Sequence, residues 1–168
     1  MATKPEQKLT LLPQTISARN TGIELDLDWI SSIQANTSAI ERRASSIASR
    51  RSIKKHHQAA WLLQAVKCID LTTLSGDDTT GRVKRLCAKA KNPISSKLLE
   101  DLDLDNITVG AVCVYHDMIE AAVSKLKGTS IPVAAVSTGF PAGLSPLPLR
   151  IAEIEYSVSA GAREIDIV

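Results

Sequence analysis

"REIDIV" (163–168) is an apolar stretch carrying one carboxylate, Asp166, between Ile165 and Ile167. The alternation reads as a β-strand, because successive side chains on a strand point to opposite faces. A carboxylate in such a strand is costly to bury unless a cation or a hydrogen-bond donor faces it. Working back from that strand, the hydrophobic period switches repeatedly between helix and strand values. Leu147, Ile151, Ile154 and Val158 have helical spacing and lead to Gly161, where a left-handed cap is expected. "IPVAAVSTGF" (131–140) reads as a strand, preceded by a helix marked by Met118, Ala122, Val123 and Leu126. "ITVGAVCVY" (107–115) is a strand that is apolar on both faces, preceded by a helix with Val83, Leu86, Cys87 and Ala90 on one side. "VKCIDLTTL" (66–74), closed by the turn Ser75-Gly76-Asp77-Asp78, is the first strand of the series.

Strands that alternate with helices imply parallel pairing through right-handed crossovers. Strands apolar on both faces imply a sheet covered on both sides, in a doubly wound sheet or a (β/α)8 barrel. No G-x-G-x-x-G follows the first strand and no G-x-x-x-x-G-K-[ST] occurs, which disfavours the dinucleotide and P-loop branches. The expected fold class is therefore α/β, an incomplete (β/α)8 barrel of about four parallel strands with an N-terminal helical extension. The expected organisation is a flexible tail over 1–24, a helical extension over 25–65 and the first half of a barrel over 66–168. Within the extension, Ser38-x-x-Glu41 has capping-box spacing ahead of an Ile40, Ala44, Ile47, Ala48 stripe. Trp61, Leu62, Leu63 and Val66 then predict a buried helix.

Composition narrows the function classes. A hydrophobic fraction of 44% supports a core, and with only 3% aromatics that core must be aliphatic. A net charge of +2 is too small to argue for nucleic acid. The run Arg42, Arg43, Arg50, Arg51, Lys54, Lys55 has no interleaved aromatics to stack on bases, so it reads as a solvated helix face. Cys68, Cys87 and Cys113 form no CxxC pair, which fits a reducing compartment, and the cytosol is the expected location. No apolar stretch approaches the roughly 20 residues of a membrane span. No metal is expected either. "DLDLDN" (101–106) lacks the glycine and glutamate an EF-hand needs, and the adjacent His56 and His57 diverge on a helix.

In an α/β barrel the reacting groups stand at the C-terminal ends of strands. Asp70, Thr72, Cys113 and Asp166 qualify, with the two carboxylates suggesting a polar centre at one barrel mouth. Cys113 also reads as a small core residue. The loop "STGFPAG" (137–143) reads equally as tight-turn chemistry or as a phosphate cradle.

"IDLTTLSGDDT" (69–79), "AVCVY" (111–115), "STGFPAG" (137–143) and "GAREIDIV" (161–168), in this order, resemble the deoxyribose-phosphate aldolases, a class I aldolase family. "ELDLDWI" (24–30) and "QAAWLLQAV" (58–66) resemble the longer N-terminal region of its animal-type members. The resemblance implies a lyase of deoxynucleoside breakdown that cleaves 2-deoxy-D-ribose 5-phosphate to glyceraldehyde 3-phosphate and acetaldehyde. It implies a lysine Schiff base, no metal or organic cofactor, and a small phosphorylated sugar as the binding partner. On the same ground Asp166 matches the proton-relay aspartate, Asp70 and Thr72 match substrate-pocket residues, and Cys113 matches a cysteine lining the aldehyde pocket. None of the eleven lysines ends a predicted strand, Lys67 beginning one instead. The Schiff-base lysine is accordingly expected beyond residue 168 and the 168-residue chain is expected to be inactive. Two departures from the family pattern are His116, where a proline is usual, and "PLPLR" (146–150), with two prolines before a helix. The competing expectation is a non-catalytic half-barrel that associates through its fourth strand with a second copy or another subunit.

Overall fold

The computed structural model describes residues 23–50 and 52–168, so most of the expected tail lies outside the described residues. The chain divides into two compact units, Met1–Ser52 and Ile53–Val168. The first holds α1 (Leu27–Ser32) and α2 (Thr37–Arg50). Asp26 caps α1 by accepting from the Trp29 N–H at 2.8 Å. Asn36 does the same for α2, its Oδ1 accepting from the Ala39 N–H at 3.0 Å. The cap expected at Ser38 is therefore made two residues earlier, since asparagine caps at least as well as serine and Ser38 already lies in the helix.

The second unit runs α3 (Lys55–Lys67), β1 (Asp70–Thr72), α4 (Thr80–Lys91), α5 (Ser96–Asp101) and β2 (Ala111–Val114). A 3₁₀ turn (His116–Met118), α6 (Ile119–Leu126), β3 (Val133–Val136), α7 (Leu147–Ser159) and β4 (Glu164–Asp166) complete it. The four strands form one sheet in chain order, β1-β2-β3-β4, and every pair is parallel. The strands are shorter than their apolar runs. The stretch 66–74 loses its start to α3, which the Cys68 and Ile69 N–H groups close on the carbonyls of Ala65 and Val66. Lys67 consequently ends a helix rather than beginning a strand. Trp61 and Leu62, expected to be buried, are 63% and 62% exposed, so among the described residues nothing covers that side of α3.

Register separates the two faces of the sheet. Leu71, Val112, Val133, Ala135 and Ile165 fall on one face, and they pack on Val83, Cys87 and Ala90 of α4 and on Ile119, Ala122 and Leu126 of α6. This is the main core, aliphatic as the composition requires. The expected spacing of α4 is thus realised, but α7 differs. Its Leu147, Ile151 and Val158 remain exposed among the described residues. The two prolines before α7 fit without a break, Pro146 at the N-cap and Pro148 in the first turn, where no N–H is needed. Gly161 follows α7 at φ +103°, the left-handed turn expected there, and a Cβ on it would press on Val123 at 3.2 Å. Among the described residues no helix is long and apolar enough to cross a membrane.

The helix-side core should carry the stability. Ile119→Ala, at a fully buried position, is expected to cost about 2–5 kcal/mol in chemical denaturation. Ile151→Ala, at a half-exposed one, should cost about 1 kcal/mol or less. Equal losses would contradict this partition of the core.

Candidate active site

The other face of the sheet carries Asp70 and Thr72 of β1, Ala111 and Cys113 of β2, Ala134 and Val136 of β3, and Glu164 and Asp166 of β4. The four residues singled out in the sequence therefore share one face, Thr72, Cys113 and Asp166 towards the C-terminal ends of their strands and Asp70 at the start of β1. Thr72 stands in register with Cys113, Cys113 with Ala134, and Asp166 with Val136. The single methyl of Ala134 leaves room across β3. There the Cys113 thiol donates to Asp166 Oδ2 at 3.5 Å, joining residues 53 positions apart. The Thr72 hydroxyl donates to the Asp70 carbonyl at 2.8 Å, which fixes its rotamer. Leu74, Tyr115 and Phe140 pack against this face as an apolar wall, Tyr115 and Phe140 edge to face with centroids 6.0 Å apart.

The two carboxylates are not buried, contrary to the expectation from their apolar flanks. Asp70, at the start of β1, and Asp166, at the end of β4, are solvent-exposed on the two outer strands of the sheet, so neither needs a buried counter-ion. Cys113 lies at a level between them, 2% exposed. Burial pushes its thiol up to about 12, and the charge and hydrogen bond of Asp166 and the charge of Asp70 add to the rise, against a smaller opposing effect of Thr72. At neutral pH Cys113 is thus a neutral thiol.

The loop after β1 is held by a network that sequence reading took for a plain turn. The Asp78 side chain, only 6% exposed, accepts from the Thr73 hydroxyl at 2.9 Å, the Ser75 N–H at 3.1 Å and Arg82 at 3.1 Å. Burial works against its charge, yet the Thr73, Arg82 and Ser75 donors outweigh it and hold the carboxyl below the usual range. Arg82 also pairs with Asp77 at 2.9 Å and lowers that carboxyl as well. The adjacent acids of "SGDDT" were the signal that could have found this.

The loop after β3 resolves as turn chemistry. Gly139, at φ +81°, donates its N–H to Glu153 Oε2 at 2.7 Å, and the Gly143 N–H goes to the Gly139 carbonyl at 2.9 Å. With a carboxylate on the Gly139 N–H, the loop does not offer that group to phosphate. Thr138 is the unexpected member. It is β-branched yet sits at φ +62°, a conformation costing about 1–2 kcal/mol. Its hydroxyl accepts from the Val168 N–H at 2.8 Å. His116 turns away from this face, with Nδ1 2.8 Å from the hydroxyl of the fully buried Ser157.

The thiol reports on the carboxylate above it. As pH rises from about 9 towards 12, an unfolded chain loses the Cys113 proton first, so this residue draws stability away only in that alkaline window. Asp166→Asn should lower the thiol pKa and speed alkylation of Cys113 at pH 9 by roughly tenfold, read by peptide mass mapping. An unchanged rate would contradict the Cys113–Asp166 contact.

No family model matches the chain. It is 56% identical over 157 residues to the deoxyribose-phosphate aldolase of Mus musculus, and 55% identical to that of Homo sapiens. Each alignment covers 91% of this chain and 49% of the relative, so the chain spans about half the length of the curated relatives it matches. Among solved structures, a candidate deoxyribose-phosphate aldolase from Coccidioides immitis superposes with a TM-score of 0.51 at 23% identity, covering 82% of this chain and 49% of that one. That likeness concerns the fold, and with four parallel strands in chain order it identifies an incomplete barrel of the (β/α)8 type. Over the part of them that it spans, the chain is similar in sequence to these deoxyribose-phosphate aldolases.

Proposed function

We propose that this chain supplies the carboxylate side of a class I aldolase site acting on 2-deoxy-D-ribose 5-phosphate. The products are glyceraldehyde 3-phosphate and acetaldehyde. One observation carries the reading. Asp166 meets Cys113 on the face that holds Asp70 and Thr72, in a chain 56% identical to the mouse aldolase.

In this chemistry a neutral lysine amine adds to the sugar aldehyde, and the carbinolamine loses water to give an iminium ion. The C2–C3 bond then breaks, its electron pair forming an enamine while the 3-hydroxyl gives up its proton. Protonation of the enamine carbon and hydrolysis release acetaldehyde. Three proton movements need a nearby group that both accepts and returns protons. Asp166, exposed at the rim and within reach of water, fits that role. The Asp70 carboxylate and the Thr72 hydroxyl oxygen, whose own proton goes to the Asp70 carbonyl, offer acceptors to the sugar hydroxyls. The neutral Cys113 thiol, beside Ala111 and Ala134, presents a small, weakly polar surface to the two-carbon end. No step calls for a metal or an organic cofactor.

The lysines in the described residues lie on helices or their caps: Lys54, Lys55 and Lys67 at α3; Lys84, Lys89 and Lys91 on α4; Lys97 on α5; Lys125 and Lys127 at α6. We place the imine-forming lysine outside residues 1–168. Borohydride reduction with substrate should therefore add no mass to the 168-residue chain. Refolding it with the remaining half of the mouse relative should restore cleavage and trapping. Asp166→Asn should then lower the restored rate by about 10²–10⁴-fold. An adduct on any of the eleven lysines, or full activity of Asp166→Asn, would overturn the proposal.

A further inference from the structure

We propose that Thr138 is a positioning residue for Asp166, its hydroxyl holding the chain just past β4 so that the carboxylate stays over Cys113. The functional meaning of this clamp rests on the reading of Asp166 as the proton-transfer group, whereas the clamp itself rests on geometry alone.

The β3–β4 ladder stops at Asp166, because β4 has only three residues. Beyond it two adjacent residues of the next loop take over. The Ser137 N–H donates to the Asp166 carbonyl at 2.9 Å, and the Thr138 hydroxyl accepts from the Val168 N–H at 2.8 Å. The single hydroxyl proton is left for the Ser137 carbonyl at 2.7 Å or the Val168 carbonyl at 3.2 Å. The peptide groups from Asp166 to Val168 are thereby tied at both ends to one dipeptide.

The residue type makes the argument. A backbone at φ +62° favours glycine, and a β-branched side chain is among the worst choices there. Glycine occupies the next position, at φ +81°. A glycine at 138 would relax the backbone but would leave the Val168 N–H without its acceptor. Thr138 is 7% exposed, so water is poorly placed to substitute. What the threonine adds over glycine is a hydroxyl aimed at the segment that carries Asp166. The carboxylate it steadies sits 3.5 Å from the Cys113 sulfur, and a shift of β4 would open that contact first.

Thr138→Gly separates the clamp from the strain, since it relieves the backbone while deleting the hydroxyl. Alkylation of all three cysteines is followed at pH 9 in the 168-residue chain. Cys68 is exposed and serves as the reference, and Cys87, buried in the helix-side core, reports general loosening. Thr138→Gly should speed Cys113 alkylation by roughly tenfold, approaching the Asp166→Asn rate, with Cys87 unchanged. Adding Thr138→Gly to Asp166→Asn should give little further increase, because both act through one carboxylate. Thr138→Ser, which keeps the hydroxyl, should behave as the parent. The clamp is overturned if Cys113 keeps its parental rate in Thr138→Gly, or if Cys87 accelerates alongside it. Neither outcome depends on aldolase activity, so failure of the clamp and failure of the proposed reaction are read separately.

Discussion

The parallel register from β1 to β4 is the constraint on which the rest depends. Side chains alternate across a strand, so the pairings Thr72 with Cys113, Cys113 with Ala134 and Val136 with Asp166 sort every strand residue onto one of two faces. One face is closed by α4 and α6 and contributes aliphatic burial. The other carries the carboxylates of Asp70, Glu164 and Asp166, a hydroxyl and a thiol around the small residues Ala111 and Ala134. A slip of one residue in any strand would exchange these roles, burying a charge against helices and exposing a core side chain. Stability and chemistry are thus specified together, by the same ladder bonds.

The strands are only three or four residues long, so the ladder alone fixes little beyond them. Side chains take over where it ends. Asp78 gathers donors from Thr73, Ser75 and Arg82 after β1, and Glu153 of α7 holds the Gly139 N–H after β3. Thr138 reaches across to Val168. Each uses an oxygen acceptor to satisfy a donor that regular structure leaves over, as buried or half-buried polar groups require. Loops tied in this way are held in shape by the chain's own side chains.

Much of this was legible in the sequence, and for identifiable reasons. Alternating periods exposed the order of strands and helices, and Ile-Asp-Ile in "REIDIV" placed Asp166 on a strand facing away from its apolar neighbours. Position within the repeat then predicted that Asp70, Thr72, Cys113 and Asp166 would gather at one end; their side chains share a face, but Asp70 begins β1 and stands at the other end. What failed was extent and burial. Apolar runs such as "ITVGAVCVY" continue past the residues that find a ladder partner, so composition overstates strand length. The exposed stripe of α7 and the exposed Trp61 show that amphipathic spacing reveals which side of a helix is apolar, not what covers it. Thr138 carried no signal, because its positive φ and its partner at 168 arise only from three-dimensional contact.

The most direct measurement is the set of proton–proton contacts of Asp166 in solution by nuclear Overhauser spectroscopy. The register described here predicts cross-peaks from the Asp166 β-protons to the methyl groups of Val136, its partner on β3, and none to Ile119 or Ala122 of α6. Cross-peaks to α6 with none to Val136 would place the carboxylate on the helix face, and the site built around it would fall.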